Sequence, residues 1–327
     1  MKPKLIVFWG NNNLTNPLVE SIMREYFDFI PYAPDTTYDK LSSVFVLDAY
    51  QYNKDKAVID QLIIDGYKVV FENLHEANLS IKDYADTPNV LKMIASIRNQ
   101  YTYNVVQVPM YFWYCESKAW TGKTYDYKSL DRTNNFKKKF LLMMNYAKTF
   151  RSAIYDKFFD ILDQSLHSFV DKGIRLDGDI DRTTMYWDRY IDPNWYNTTQ
   201  FSVVVETDMD IGPGSIFLTE KTMKPLALKH PYISLSCSNS LALLKQSGFE
   251  SFENLFDESY DSMRAYPNRI EHVYNQVKSY TLFDNDYDAI TKQKIEHNYN
   301  WFFNDDEVGR RFKLDIIDPI LEFVNEK

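Results

Sequence analysis

The residues best suited to chemistry lie close together in the second half of the chain. Residues 201–205 read Phe-Ser-Val-Val-Val, and Glu206 follows. This β-branched, apolar run has the length of a buried strand. A turn containing Gly212, Pro213 and Gly214 then breaks the chain ahead of Phe217-Leu218-Thr219-Glu220-Lys221. Thr219 is placed to cap a helix whose first turn carries Glu220 and Lys221. Pro231 is expected to end that helix, and residues 232–235 read as the next strand. A helix start presents N–H groups without intrahelical partners, so this strand–loop–helix–strand unit suits an anion. Lys221 adds a mobile positive charge, and Glu220 can accept from sugar hydroxyls. A nucleotide diphosphate-sugar would use all three features. The bland alternative is an exposed Glu220–Lys221 helix pair of little energetic value.

Such a unit needs a sheet to hold it. Residues 4–9, 43–47, 68–71 and 103–108 are strand-length apolar runs. Helical periodicity covers residues 17–29 and 54–65, the second closed by Gly66. Strands alternating with helices predict an α/β fold, a mostly parallel sheet with helices on both faces. Ligands in such sheets sit at the C-terminal ends of strands, where Asn11 to Asn13, Asp48, Glu72 and Glu76 fall. Residues 116–135 read as a polar loop leading to a domain junction. Residues 137–145 read as a lysine-led strand, 149–168 as an amphipathic helix beginning near Arg151, and 172–200 as irregular and acidic. Helices over 239–248, 263–280, 285–300 and 306–325 complete the chain. Two α/β domains facing across a cleft are expected, at 1–132 and 133–305, with 306–327 a last helix packing back on the first.

A length of 327 residues suits two domains of ordinary size. The formal net charge of −9 speaks against a broad duplex-DNA footprint, which needs a basic face. Lys137-Lys138-Lys139 read as a solvated strand entry, with contact to an acceptor phosphate as the alternative. The 25 tyrosines and 22 phenylalanines fit core packing first and carbohydrate or base stacking second. Cys115 and Cys237 are far apart and lack metal spacing, which points to a reducing compartment. The N-terminus has no signal-peptide pattern, and the most apolar stretch, residues 105–115, is too short to span a bilayer. A cytoplasmic protein without membrane attachment is expected, so the sequons at Asn78 and Asn197 carry no weight. Asp177-Gly178-Asp179-Ile180-Asp181 looks like a metal loop, but Arg182 holds the sixth position and no Glu the twelfth. The five histidines show no metal spacing, so no metal site is expected.

Phe201 to Glu206, followed by Phe217-Leu218-Thr219-Glu220-Lys221, resembles the donor-binding signature of the α-1,3-fucosyltransferase family, a Phe-Glu-Asn segment and then Tyr-X-Thr-Glu-Lys. Asn145-Tyr146-Ala147-Lys148-Thr149-Phe150-Arg151 and the helix after it resemble that family's strand–loop–Arg–helix segment. Val69-Val70-Phe71-Glu72-Asn73 resembles its N-terminal strand ending in a Glu-Asn pair, and Val108-Pro109-Met110-Tyr111 also has a counterpart there. The similarity runs in order through nearly the whole chain. Phe217 stands where the motif has tyrosine, Thr207 stands where asparagine follows the strand's Glu, and Ser236 and Cys237 replace the usual glycines. These departures keep a nucleotide-sugar fold and leave the sugar open between fucose and a relative of it. The segment Asp257-Glu258-Ser259-Tyr260-Asp261 resembles divergent members of the family carried by phages and large viruses.

The resemblance implies a GT-B glycosyltransferase, two Rossmann-like domains with acceptor on the first and donor on the second. It implies a single inverting displacement at the anomeric carbon, with a nucleotide diphosphate-sugar as co-substrate, a saccharide or other hydroxyl as acceptor, and no cofactor. Glu72 is then the catalytic base, with Glu76 and Asp48 as rivals. Arg151 and Lys221 stabilise the leaving diphosphate, Glu220 binds sugar or ribose hydroxyls, and Glu206, Phe217 and Thr219 complete the donor site. Two other functions fit the same residues. One is glycosylation of hydroxymethylated bases in phage DNA, which the acidic net charge disfavours. The other is a non-catalytic nucleotide-sugar or glycan-binding protein.

Overall fold

A computed structural model describes residues 2–8, 17–74, 84, 87–98, 104–119, 135–176, 192–281 and 286–326. Asn11 to Asn13, Glu76, Asp177 to Asp181 and residues 120–134 of the expected polar loop lie outside the described residues. The chain divides into two compact units, residues 1–119 with 305–327, and residues 120–304.

The first unit contains β1 (Lys4–Val7), α1 (Pro17–Tyr26), β2 (Asp28–Pro31), β3 (Ser43–Asp48), α2 (Ala49–Ile64) and β4 (Lys68–Asn73). It continues with β5 (Val90–Ile94), the two-residue β6 (Ser96–Ile97), β7 (Val105–Gln107) and α3 (Tyr111–Ala119). Its sheet has the order β2-β1-β3-β4-β5-β7, and every pairing is parallel. Leu5, Ile6, Val44, Phe45, Val69, Val70 and Phe71 are buried. That is the near-continuous apolar pattern of strands covered on both faces. Gly66 closes α2 in the left-handed region at φ +81°, as its place in the sequence predicts.

Three local expectations give way here. The helix expected through residue 29 stops at Tyr26, because Asp28 to Pro31 pair with β1 as an edge strand. Pro31 ends that strand, where a missing N–H costs least. Residues 116–119 do not open a loop. They continue α3, whose side chains from Tyr111 to Ser117 are all buried. The Tyr114 hydroxyl donates to the Asp315 carboxylate, and Lys118 pairs with Asp305 at 2.6 Å. These contacts and those of Lys68 join the C-terminal segment to this unit. That segment is α10 (Asp305–Phe312), a π turn, and α11 (Asp318–Asn325). The Lys68 ammonium donates to the carbonyls of Phe323 at 2.6 Å and Val324 at 2.9 Å, a cation on the carbonyl end of a helix.

The second unit contains β8 (Lys138–Met144), α4 (Thr149–Phe158), β9 (Ser165–Phe169), α5 (Pro193–Asn197), β10 (Thr199–Val205) and the short β11 (Ile216–Phe217). Then come α6 (Glu220–Ala227), β12 (Tyr232–Leu235), α7 (Ser240–Gln246), α8 (Tyr266–Ser279) and α9 (Ala289–Phe302). Its sheet order is β12-β10-β8-β9, again parallel throughout. The helix expected over 149–168 is broken. It ends at Phe158, passes through a 3-10 turn, and residues 165–169 become β9. The open edge of β8 takes Ser165 to Phe169 in parallel register, and that pairing overrides the helical pattern. The lysine run 137–139 leads into β8, and only Lys137 is an exposed entry. Lys139 is buried, and its ammonium reaches the Val277 and Lys278 carbonyls at the end of α8. The run therefore sits at the N-terminal end of β8, the opposite end from the candidate site. α6 ends before Pro231, because Lys229 turns left-handed at φ +53°.

No described helix is long and apolar enough to cross a membrane. Both cysteines are buried free thiols.

Candidate functional site

The C-terminal ends of β8 and β10 bring the cations together. β10 ends at Val205, and Glu206 follows with its side chain fully buried. The Glu206 N–H donates to the Leu235 carbonyl at 3.0 Å, which ties it to β12. Its Oε1 accepts from the Thr219 N–H at 3.0 Å and the Thr222 hydroxyl at 2.6 Å. Its Oε2 accepts from the Thr219 hydroxyl at 2.6 Å and the Thr207 N–H at 3.1 Å. Four donors therefore hold one carboxylate, and three of them belong to the start of α6. Glu206 fixes that helix start against the strand end; it is not a free acceptor.

Thr219 caps α6 as the sequence predicts, with its Oγ1 3.4 Å from the Lys221 N–H. Gly212 and Gly214 give the preceding loop its turn, at φ +111° and +70°. The Lys221 ammonium donates to Glu220 Oε1 at 2.6 Å, Thr207 Oγ1 at 3.0 Å and Thr219 Oγ1 at 3.3 Å. Burial would push the Glu220 carboxyl up, but Lys221 and Lys224 overcome it and hold the group at about 2. The pair is sheltered, with side-chain exposures of 26% for Lys221 and 13% for Glu220. It is not the open helix pair of the bland alternative. Phe217 is fully buried in β11, so its ring belongs to the core.

Arg151 stands in the first turn of α4 and is buried. Its NH1 donates to the Tyr146 carbonyl at 3.1 Å and its NH2 to the Glu206 carbonyl at 3.2 Å. The guanidinium thus bridges the chain beyond β8 and the end of β10. Burial lowers its pKa, while Glu206, Asp208 and Glu220 oppose the shift. Lys148 is the N-cap residue of the same helix, which has no side-chain cap. Its ammonium donates to the Thr207 carbonyl at 2.8 Å and to Asp208 Oδ1 at 3.1 Å.

Lys148, Arg151 and Lys221 therefore converge on two consecutive residues, Glu206 and Thr207. Lys148 and Thr207 are the site residues that reading the sequence missed. A lysine at a strand-to-helix junction, three positions before Arg151, is the same signal that singled out Lys221, and it went unread at residue 148. Arg269 supports the edge from behind. It is buried in α8 and donates to the Met209 carbonyl, which anchors the loop after β10.

Glu72 is in the other unit. It was expected just beyond its strand, but it lies inside β4, in register with Asp48 of β3 and Met93 of β5. The unforeseen strand β5 lengthens β4 through Asn73 and buries the Glu72 side chain completely. Asp48, the last residue of β3, is half-buried and stands on the same face of the sheet in the adjacent strand. Among the described residues no three His, Cys, Asp or Glu side chains cluster as a metal site.

No protein-family model matches this sequence, and no curated protein matches it. Among solved structures, an alpha1,3-fucosyltransferase with GDP-fucose aligns over 93% of this chain and 91% of its own, at 12% identity and a TM-score of 0.45. The α/β assignment rests on the two parallel sheets themselves.

Proposed function

We propose that the chain is a glycosyltransferase that takes its sugar from a nucleotide diphosphate-sugar held at the C-terminal edge of the second sheet. The observation that carries this reading is the convergence of Lys148, Arg151 and Lys221 on Glu206 and Thr207. Three cations beside the start of α6 are the kind of donors that a diphosphate recruits. Glu220, held ionised, is an acceptor for sugar or ribose hydroxyls. Glu206 and Thr219 keep the helix start in place, and Phe217 is buried in β11 just before it.

The reaction is an inverting displacement. An acceptor hydroxyl oxygen bonds to the anomeric carbon as the bond from that carbon to the outer phosphate oxygen breaks. The hydroxyl proton passes to a carboxylate, and the nucleoside diphosphate leaves with the bonding electrons. Basic side chains and helix N–H groups neutralise the departing charge, so the step needs no metal. The base is a carboxylate of the β3–β4 pair, Glu72, which is fully buried in this structure, or Asp48, which is half-buried and the more accessible of the two, with Glu76 as a further candidate. The GT-B arrangement, and a sugar that is fucose or its relative, follow from the sequence resemblance at residues 145–151 and 201–221.

The test is a thermal-shift and calorimetric screen of the full chain against GDP-fucose, GDP, UDP-glucose, UDP and the free nucleosides. A ligand at a hundred times its dissociation constant adds about 2.7 kcal/mol of stability. Stabilisation by a nucleoside diphosphate but not by its nucleoside is the expected result. If no nucleoside diphosphate binds, the reading is wrong. If one binds but its sugar conjugate is neither transferred nor slowly hydrolysed, the protein is a binding module.

A further inference from the structure

Tyr146 is one of seven large apolar side chains that the described residues leave exposed, at 58% of its surface. The other six are Leu41, Val58, Ile64, Phe159, Ile290 and Leu314. None of those follows the C-terminal end of a strand as Tyr146 does, two residues beyond Met144. Among the described residues its ring has no aromatic, cationic or hydrogen-bonded partner. Its backbone is nonetheless fixed, because its carbonyl accepts from Arg151 NH1 at 3.1 Å. A bare aromatic ring is thus held within one side chain's length of a buried guanidinium. We infer that Tyr146 is the platform on which the transferred sugar ring of the donor stacks, an inference that rests on the donor site proposed above.

The direction of the donor decides between sugar and base. The bond that breaks joins the sugar to the outer phosphate, so negative charge develops there, and cations are most effective beside it. Two of the three converging cations, Lys148 and Arg151, belong to the junction of β8 and α4. The third, Lys221, shares the start of α6 with Glu220. Each side carries an acid, but Lys148 and Arg151 face Asp208 together while Lys221 faces Glu220 alone, so the net positive charge lies on the β8–α4 side and the Glu220 side suits the ribose hydroxyls. The β8–α4 side then receives the outer phosphate and the sugar beyond it, and Tyr146 is the exposed ring on that side. The apolar C–H face of a pyranose packs on an aromatic ring without giving up its hydroxyl contacts.

The test compares GDP with GDP-fucose and UDP with UDP-glucose, by calorimetry on the full chain. Wild type, Tyr146→Ala and Tyr146→Phe are measured. In the alanine variant the affinity gained from the sugar should fall about 3- to 10-fold, the size of an aromatic contact, with the nucleoside diphosphate affinity unchanged. The phenylalanine variant should keep the gain. Equal losses for the diphosphate and its sugar conjugate in Tyr146→Ala would place the base on the ring and overturn the inference. No loss for either in that variant also overturns it. A wild-type protein that binds neither GDP nor UDP marks failure of the donor site itself, a different result from an intact diphosphate site with an indifferent ring.

Discussion

Removing the Lys221 charge tests the donor site where its geometry is tightest. Lys221→Met keeps the length of the side chain and deletes three hydrogen bonds, to Glu220, Thr207 and Thr219. A charge-assisted contact to phosphate is worth about 1.5–3 kcal/mol. That converts to a loss of roughly 10- to 150-fold in affinity for a nucleoside diphosphate. The free protein moderates the loss, because the ammonium must loosen its 2.6 Å contact with Glu220 to meet a ligand. An effect near the lower end is expected, with nucleoside affinity changed less than about twofold. Calorimetry on both ligands measures it. Equal losses for nucleoside and nucleoside diphosphate would refute the assignment of Lys221 to phosphate.

The same substitution strips Glu220 of its nearest counter-charge and leaves Lys224 as its remaining partner. A sheltered carboxylate without its partner destabilises the fold, so Glu220→Gln/Lys221→Met serves as the control in which neither charge remains. The sign of the pH dependence follows from Glu220. Its folded carboxyl is held at about 2, below its unfolded value. Its contribution is therefore present above about pH 5 and lost as pH falls toward 2. Glu220→Gln should melt with a shallower decline across that window. An unchanged decline would mean that the carboxylate is not held down as described.

Arg151→Lys keeps the charge but cannot span the Tyr146 and Glu206 carbonyls with a fork, so turnover should fall even at saturating donor; wild-type turnover would remove Arg151 from the site. Glu72→Gln should leave donor affinity unchanged and cut transfer by roughly 10²–10⁴-fold. If that variant transfers normally and Asp48→Asn does not, the neighbouring carboxylate of the β3–β4 pair is the base. Transfer should survive exhaustive chelation, and loss with EDTA that magnesium or manganese reverses would put an ion in the mechanism. Gly248→Ala should lower the melting temperature, because its Cβ would meet the Trp301 ring at 2.6 Å in a left-handed backbone. A cost above about 1 kcal/mol is expected, and an unchanged melt would contradict the packing.

The sheets were legible in the sequence wherever a strand is built on an unbroken apolar run. The apolar runs of β3, β4, β8, β10 and β12 are too short for helices, and those of β3, β4 and β10 are β-branched as well, so length and composition mark them. β2, β5 and β9 were not legible. Val90 to Ile94 carries Lys92 at its centre, and Asp28 to Pro31 ends in proline. Ser165 to Phe169 holds two serines and a histidine. Each is a strand because a neighbour offers it an open ladder, and that is a property of the sheet, not of the segment. The same gap moved Glu72. Without β5 in view, β4 is expected to end at Phe71 and its carboxylate to face a loop.

Glu206 shows why residue types at the right spacing still leave roles open. Sequence reading groups it with Glu220 as an acidic member of the donor site. Folding separates them by the donors each one meets. Glu206 lies where the N–H and hydroxyl groups at the start of α6 converge, and it accepts four hydrogen bonds from them and from Thr207. Glu220 is the first residue of the helix, and its carboxylate meets Lys221, Lys224 and its own backbone N–H. The first carboxylate has no lone pair in good geometry left for a ligand, while the second trades one cation for another partner at small cost. A Glu206→Gln variant would replace an acceptor by a donor facing either the Thr219 N–H and Thr222 hydroxyl or the Thr219 hydroxyl and Thr207 N–H. The start of α6 would loosen, and Lys221 would lose its fixed position without any change to its own charge. Position and charge at this edge are therefore separable, and the acid with no ligand to bind decides where the cations stand.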